Sequence, residues 1–233
     1  MSDVVVFPSG QPLRGNIRTV DTAKGFYTLQ DASRLSRIPE SVVRKWRPIV
    51  KPSLALSTFG GKETFGYTFD SLVLLRLIRR LRESSISLPR SVNAVHLFVD
   101  MFGAPGPNWA NGRFFRTGSE LLVRDIRSKD VVEAARRQYA TRGVLFDADF
   151  SQFKDRLDVL LVPERFARRV EIDPEIMDGH PVVKGTAIET SVVAALRDKG
   201  MTESEIVEYY PHLTHLDIRA SRSYERFLAS QAA

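Results

Sequence analysis

Apolar positions recur at helical spacing early in the chain. Leu29, Ala32 and Leu35 share one helical face behind Thr28, an N-cap residue type, and the pattern ends near Arg37. Ile38-Pro39 follows, a turn or a helix start, and Val42, Val43 and Trp46 form the face of a second short helix that Pro48 is expected to stop. Two short helices joined by about three residues make a helix-turn-helix plan. Between Ile49 and Gly66, Leu54, Leu56 and Thr58 alternate around Gly60-Gly61, which predicts a β-hairpin. Thr68 then caps a third helix through Leu72, Leu75, Ile78 and Leu81, broken at Ser84-Ser85, and a fourth runs from Leu88-Pro89 through Val92, Val95 and Val99 toward Phe102.

Gly103 to Asn111 reads as irregular and as a domain boundary. Beyond it, Arg113–Arg116 and Glu120–Arg124 flank Thr117-Gly118-Ser119 as a second hairpin. Asp130 is expected to cap a helical stretch Val131–Tyr139, and Leu157–Val162 a strand closed by Pro163. The last segment is clearly punctuated. Asp173-Pro174 starts a turn, and Pro181-Val182-Val183 is a short strand broken at Gly185. Thr190 opens a helix through Val193, Leu196 and Arg197 that Gly200 ends. Thr202 with Glu205, and Thr214 with Asp217, are capping boxes for helices Ser204–Tyr209 and Leu216–Leu228. The fold class expected is mainly α with minor β. A flexible arm (1–24) precedes a winged helix-turn-helix unit (25–103), a small α+β connector (104–169) and a small helical, helix-turn-helix-like domain (170–233).

Charge sharpens this division. The 233 residues carry a net +6, but residues 1–100 hold +7, residues 101–169 hold +4 and residues 170–233 hold −5. A basic front and an acidic back place an anionic partner, nucleic acid first, at the N-terminal part. There is no cysteine, which excludes disulfides, thiolate zinc sites and cysteine nucleophiles. No apolar run approaches the ~18 residues of a membrane span, and the start lacks a signal-peptide pattern, so a cytoplasmic protein with no membrane partner is expected.

Ser41, Arg44, Lys45 and Arg47 fall on or near the exposed face of the second helix. Arginine can bond a guanine edge in two places, and lysine and serine reach phosphates. Lys51 and Lys62 flank the hairpin, where a wing would touch the adjoining backbone. Thr28 and Tyr67 complete the candidate DNA-binding set. Of Arg79, Arg80 and Arg82, one is expected to face a phosphate. Trp46 reads as a core plug rather than a stacking platform. No catalytic constellation emerges, because Gly60-Gly61-Lys62-Glu63-Thr64 lacks the spacing of a phosphate loop. His96, His180, His212 and His215 lack zinc spacing, and Asp173, Glu175 and Asp178 read as a solvated acidic turn. The expectation is therefore no enzyme, no metal and no cofactor.

Residues 26–100 are similar to the DNA-binding domain of the MerR-type winged helix-turn-helix family. The match is carried by Tyr27-Thr28, Ala32, Leu35, Val43-Arg44-Lys45-Trp46, Tyr67-Thr68-Phe69-Asp70 and the Leu/Arg-rich run 75–81. The family's long dimerising coiled coil is absent. Residues 170–229 resemble a small domain of unknown function that recurs in VapB-like antitoxins. The shared elements are Asp173-Pro174-Glu175-Ile176, Gly179-His180-Pro181, Gly185-Thr186, Gly200 and Tyr210-Pro211-His212-Leu213-Thr214 with Asp217-Ile218. The arginine usual after Gly-Thr is Ala187 here. Together these resemblances imply an antitoxin that neutralises a PIN-domain ribonuclease toxin and, as a homodimer, represses its own operon through operator DNA. A stand-alone regulator with a dimerising or ligand-sensing C-terminal domain is the alternative, and a protein-only inhibitor a third. Val192, Leu196, Ile206, Tyr209, Tyr210, Leu213, Ile218, Tyr224 and Leu228 are the apolar candidates for that domain's core or interface.

Overall fold

The computed structural model describes residues 24–50, 54–59, 62–117, 120–127, 131–133, 144–145 and 158–232. The described chain is mainly helical with small antiparallel sheets. Helices α1 (Leu29–Ser36) and α2 (Glu40–Val50) lead into the hairpin β1 (Leu54–Phe59) and β2 (Lys62–Tyr67), then α3 (Phe69–Glu83) and α4 (Leu88–Phe102). Thr28 caps α1 in a reciprocal box with Asp31, and Thr68 caps α3 by accepting from the Ser71 amide. Both caps stand where the sequence places them.

Helix α2 runs through Pro48 to Val50 rather than stopping at the proline. Proline removes one donor and crowds the carbonyl four residues back. Here that carbonyl belongs to Arg44, an exposed residue of the helix's outer side. The expected irregularity of 103–111 is also corrected: Pro107–Asn111 form a 3₁₀ helix, with proline at the position where a missing amide costs nothing. Trp109 from this turn is fully buried and meets the Phe98 ring edge-on at 5.0 Å, while Phe114 stacks on Phe98 at 4.8 Å.

Strands β3 (Gly112–Thr117) and β4 (Glu120–Asp125) form the second expected hairpin, in the register Phe114 opposite Val123. Strands β5 (Val131–Glu133) and β6 (Val144–Leu145) flank it in the order β5-β4-β3-β6. The helix expected from Val131 is therefore a strand at its start. The β-branched pair Val131-Val132 suits a pleated ladder, and the edge of β4 supplies the partners. Asp130 and residues 134–139 lie outside the described residues.

The strand expected over Leu157–Val162 is a turn. The Asp158 carbonyl accepts from both the Leu161 and Val162 amides at 2.8 Å, and its carboxylate accepts from the Ile172 amide at 3.0 Å. An aspartate that can satisfy nearby amides favours a turn over a ladder. Leu157 itself is outside the described residues, as are the arm 1–23 and Gly60-Gly61.

Strands β7 (Val170–Glu171) and β8 (Val182–Val183) pair antiparallel, and helices α5 (Thr190–Asp198), α6 (Glu203–Tyr209) and α7 (His215–Ala232) complete the chain. Both capping boxes form: the Thr202 hydroxyl accepts from the Glu205 amide, and the Thr214 hydroxyl from the Asp217 amide. A small core of Val183, Val193, Ile206, Leu213 and Ile218 sits inside this part. The larger core extends from Tyr27 through α3, α4 and Trp109 to Phe166, Tyr224 and Leu228. Helix α7 contributes to both.

Gly179 joins the segment before α1 to the C-terminal part. Its φ of +84° favours glycine, and a Cβ there would stand 2.0 Å from the Tyr27 hydroxyl. That hydroxyl, fully buried, donates to the Gly179 carbonyl at 2.7 Å. Gly179→Ala is expected to lower unfolding free energy by about 3 kcal/mol or more. Tyr27→Phe, which leaves one buried carbonyl unpaired, is expected to lower it by about 1–2 kcal/mol. Denaturant titration of both variants checks the order.

Candidate nucleic-acid interface

The inward side of α2 is set by Val43 and Val50, both buried, with Trp46 half-buried between them against the larger core. Trp46 therefore leans on the core edge rather than plugging it; the fully buried tryptophan is Trp109. The opposite side presents Ser41, Arg44, Lys45 and Arg47, all exposed. Arg44 has one partner, Glu40 at 3.8 Å, with the two side chains 71% and 44% exposed. A pair so open to water is worth at most a fraction of a kcal/mol and does not hold Arg44 away from an incoming anion.

Of the other candidates, Thr28 is exposed, but its hydroxyl is engaged in the cap, donating to the Asp31 carboxylate at 2.6 Å and accepting its amide at 3.1 Å. Tyr67 is buried at 6% exposure, and its backbone exchanges both hydrogen bonds with Tyr27. Burial pushes its phenol pKa up against the opposing charges of Arg47 and Arg44. Tyr67 is thus buried and does not share the exposed surface of α2. Lys62 opens β2 opposite Phe59, its side chain outside the described set, and Lys51 is outside it altogether. The structure therefore gathers Ser41, Arg44, Lys45 and Arg47 on one face.

The arginines of α3 are differently employed. Arg79 Nε donates to Glu83 at 2.8 Å, Arg76 reaches the same oxygen at 3.5 Å, and Arg82 donates to the Ile86 carbonyl at 2.6 Å. Burial works to raise the Glu83 carboxyl, but Arg79 and Arg76 outweigh it and hold it below the ordinary range. Arg80 alone of the three candidates in this helix has no such partner among the described residues.

Two arginines of α1 that the sequence reading did not single out hold this face to the C-terminal part. Arg34 pairs with Glu225 of α7, and the other Glu225 oxygen accepts from the Thr190 hydroxyl at 2.6 Å. Arg37 ends α1 in the left-handed region at φ 61° and donates to the Leu161 carbonyl at 3.0 Å, with its guanidinium 4.9 Å over the Phe227 ring. Burial, then the neighbouring Arg76 charge, pull its pKa down to about 10. The buried Arg37 Nε, Arg76 Nε and Tyr224 hydroxyl have no hydrogen-bond partner among the described residues. The only sequence signal for this junction was two arginines at the end of a short helix, which reads equally as a solvated helix terminus.

In the C-terminal part, Ile206, Leu213, Ile218, Tyr224 and Leu228 are buried, whereas Val192 and Tyr209 are 41% and 74% exposed. The acidic turn is structural: Glu175 pairs with Lys24, the Asp173 carboxylate accepts from the Glu175 amide at 2.9 Å, and the Asp178 carbonyl accepts from the Phe26 amide at 3.1 Å. Among the described residues, no group of three His, Asp or Glu side chains is placed to hold a metal ion, and no helix is long and apolar enough to cross a membrane.

Residues 170–224 match the family described as "Protein of unknown function (DUF433)". No curated protein matches the chain. Among solved structures the chain is similar to the crystal structure of Rv2018 from Mycobacterium tuberculosis, with a TM-score of 0.49 and 14% sequence identity, covering 84% of this chain and 97% of that one.

Replacing Glu225 by alanine leaves Arg34 and Thr190 without their shared acceptor. A loss of about 2 kcal/mol is expected, since one member of a largely buried charge pair remains. A double-mutant cycle with Arg34→Ala should return a coupling of about 1 kcal/mol or more, read by thermal or denaturant unfolding. Simple additivity would place the two residues in independent roles.

Proposed function

We propose that this protein is an antitoxin-type repressor. In this reading it binds operator DNA through a winged helix-turn-helix made of α1, α2 and the β1–β2 hairpin, and neutralises a PIN-domain ribonuclease through its C-terminal part. The observation that carries the DNA half is the outward face of α2. Four polar or cationic side chains stand there exposed, one of them in a weak ion pair, on a helix whose other side is anchored by Val43 and Val50. A helix of 11 residues is about 16 Å long and fits a major groove about 12 Å wide. Arg44 and Arg47 are assigned to base edges or phosphates, Lys45 and Ser41 to the flanking backbone, and Lys62 to the wing.

The toxin half is supported by the resemblance of residues 170–229 to the domain of VapB-like antitoxins. Tyr209 and Leu216, 74% and 54% accessible, are the most exposed of the large apolar side chains described there and the ones assigned to a protein partner. A homodimer would set two α2 helices one helical turn of DNA apart, about 34–36 Å.

Arg44→Ala with Arg47→Ala is expected to weaken operator binding at least about tenfold near 0.15 M salt and to reduce the salt slope by about 2, with the melting temperature unchanged. Gel shifts across a salt series measure both. An unaltered affinity in a folded variant removes α2 from the interface. Co-expression with the partner ribonuclease, with growth and co-purification as readouts, tests the second half. Loss of protection in Tyr209→Ala is the expected outcome, and toxicity undiminished by the native chain overturns it.

A further inference from the structure

Residues 170–233 carry six Lys/Arg against eleven Asp/Glu, yet four of those six cations converge on one cleft. Arg197, Arg219, Arg222 and Arg226 line a hollow of about 180 Å³ together with Glu203, Ile218 and Ser223. Arg219, Arg222 and Arg226 stand at i, i+3 and i+7 on α7, which puts them on one side of that helix, and Arg197 enters from the last turn of α5.

The four guanidiniums are only partly compensated. Glu203 receives Arg219 Nε on both oxygens, at 2.9 and 3.1 Å, and faces His215 Nδ1 at 3.2 Å. Asp198 pairs with Arg222 at 2.9 Å. Arg197 donates to the Met201 carbonyl and faces the Glu205 charge, whereas Arg226 is exposed with no ion pair or hydrogen bond among the described residues, so the surplus charge of the cleft sits on Arg226.

Such a local excess of positive charge inside an acidic segment selects its ligand. A long polyanion would meet the surrounding carboxylates, whereas a compact anion can approach Arg226 and its neighbours while the one carboxylate of the lining, Glu203, is already held by Arg219. The hollow is smaller than the roughly 300–1,000 Å³ that encloses a whole small molecule, so it suits one group of a ligand. Its cations are all arginine, whose planar fork matches oxyanions in two-point contacts, and Ser223 adds a hydroxyl donor. A phosphate has enough oxygens to accept from several of these groups at once.

We propose that this cleft is an oxyanion site for a compact phosphate group, carried by a mononucleotide or another small phosphate ester. The site lies on α7 and α5, away from α2, and stands independently of the DNA reading.

The test uses the full chain carrying Arg44→Ala and Arg47→Ala, so that α2 does not contribute. Calorimetric titration with inorganic phosphate, at ionic strength held constant with chloride, is expected to show saturable binding. Arg226→Gln should weaken it about fivefold or more, with Arg226→Lys in between, because one charge-assisted contact is lost from a side chain that holds no structural bond. A 5′-mononucleotide that binds through the same arginines identifies the phosphate ester as the source, and binding by inorganic phosphate alone identifies the free ion. Unchanged titration in Arg226→Gln, no difference between phosphate and chloride, or binding of a glutamate-rich peptide in place of phosphate overturns the proposal.

Discussion

The carboxylate of Glu225 is the point on which the arrangement of the molecule turns. It lies between Arg34 of α1 and Thr190 at the start of α5, so one side chain of α7 ties α1 to α5. Beside it, Phe227 receives the Arg37 guanidinium and Tyr224 fills the larger core. Because α1 packs on α2, the attitude of the exposed basic face follows from this junction. Tyr27 and Gly179 fix the other end of α1, so the helix is held at both termini by residues about 150 or more positions distant.

The same junction stores unmet polar demand. Arg37 Nε, Arg76 Nε and the Tyr224 hydroxyl are buried without acceptors among the described residues, and an unpaired buried donor costs about 1–3 kcal/mol. A contact that is both central and imperfectly satisfied is the place where a modest displacement of α7 has the least to lose. It links the cleft on the outer face of that helix to α1 by continuous packing. A ligand changes α2 only to the extent that it favours one position of α7 over another.

Much of this was legible in advance. Caps at Thr28, Thr68, Thr202 and Thr214, both hairpins and the glycine at 200 follow from local chemistry, because each depends on residues within a few positions of one another. Errors arose where a neighbour distant in sequence or an exposed position changed the outcome. Val131-Val132 became strand because β4 offered an edge, and Pro48 stayed helical in the last turn of α2, among exposed residues. Leu160 and Leu161 were buried by a turn that Asp158 organises. At the candidate site, periodicity placed Ser41, Arg44, Lys45 and Arg47 together, but could not tell that Tyr67 is buried. The arginines at 219, 222 and 226 share a legible spacing, hidden by reading the net charge of their segment as a property of its whole surface.

The family match ends at Tyr224, while α7 continues for more than two turns and contributes Leu228 to the larger core and Phe227 to its edge. A gene fusion that transplanted only the matched stretch onto another N-terminal head would cut through a helix that two hydrophobic interiors share. Recombination of these parts is therefore constrained. A new head must supply its own counterpart to Arg34, Arg37 and their apolar surroundings, or the graft must carry the head with it.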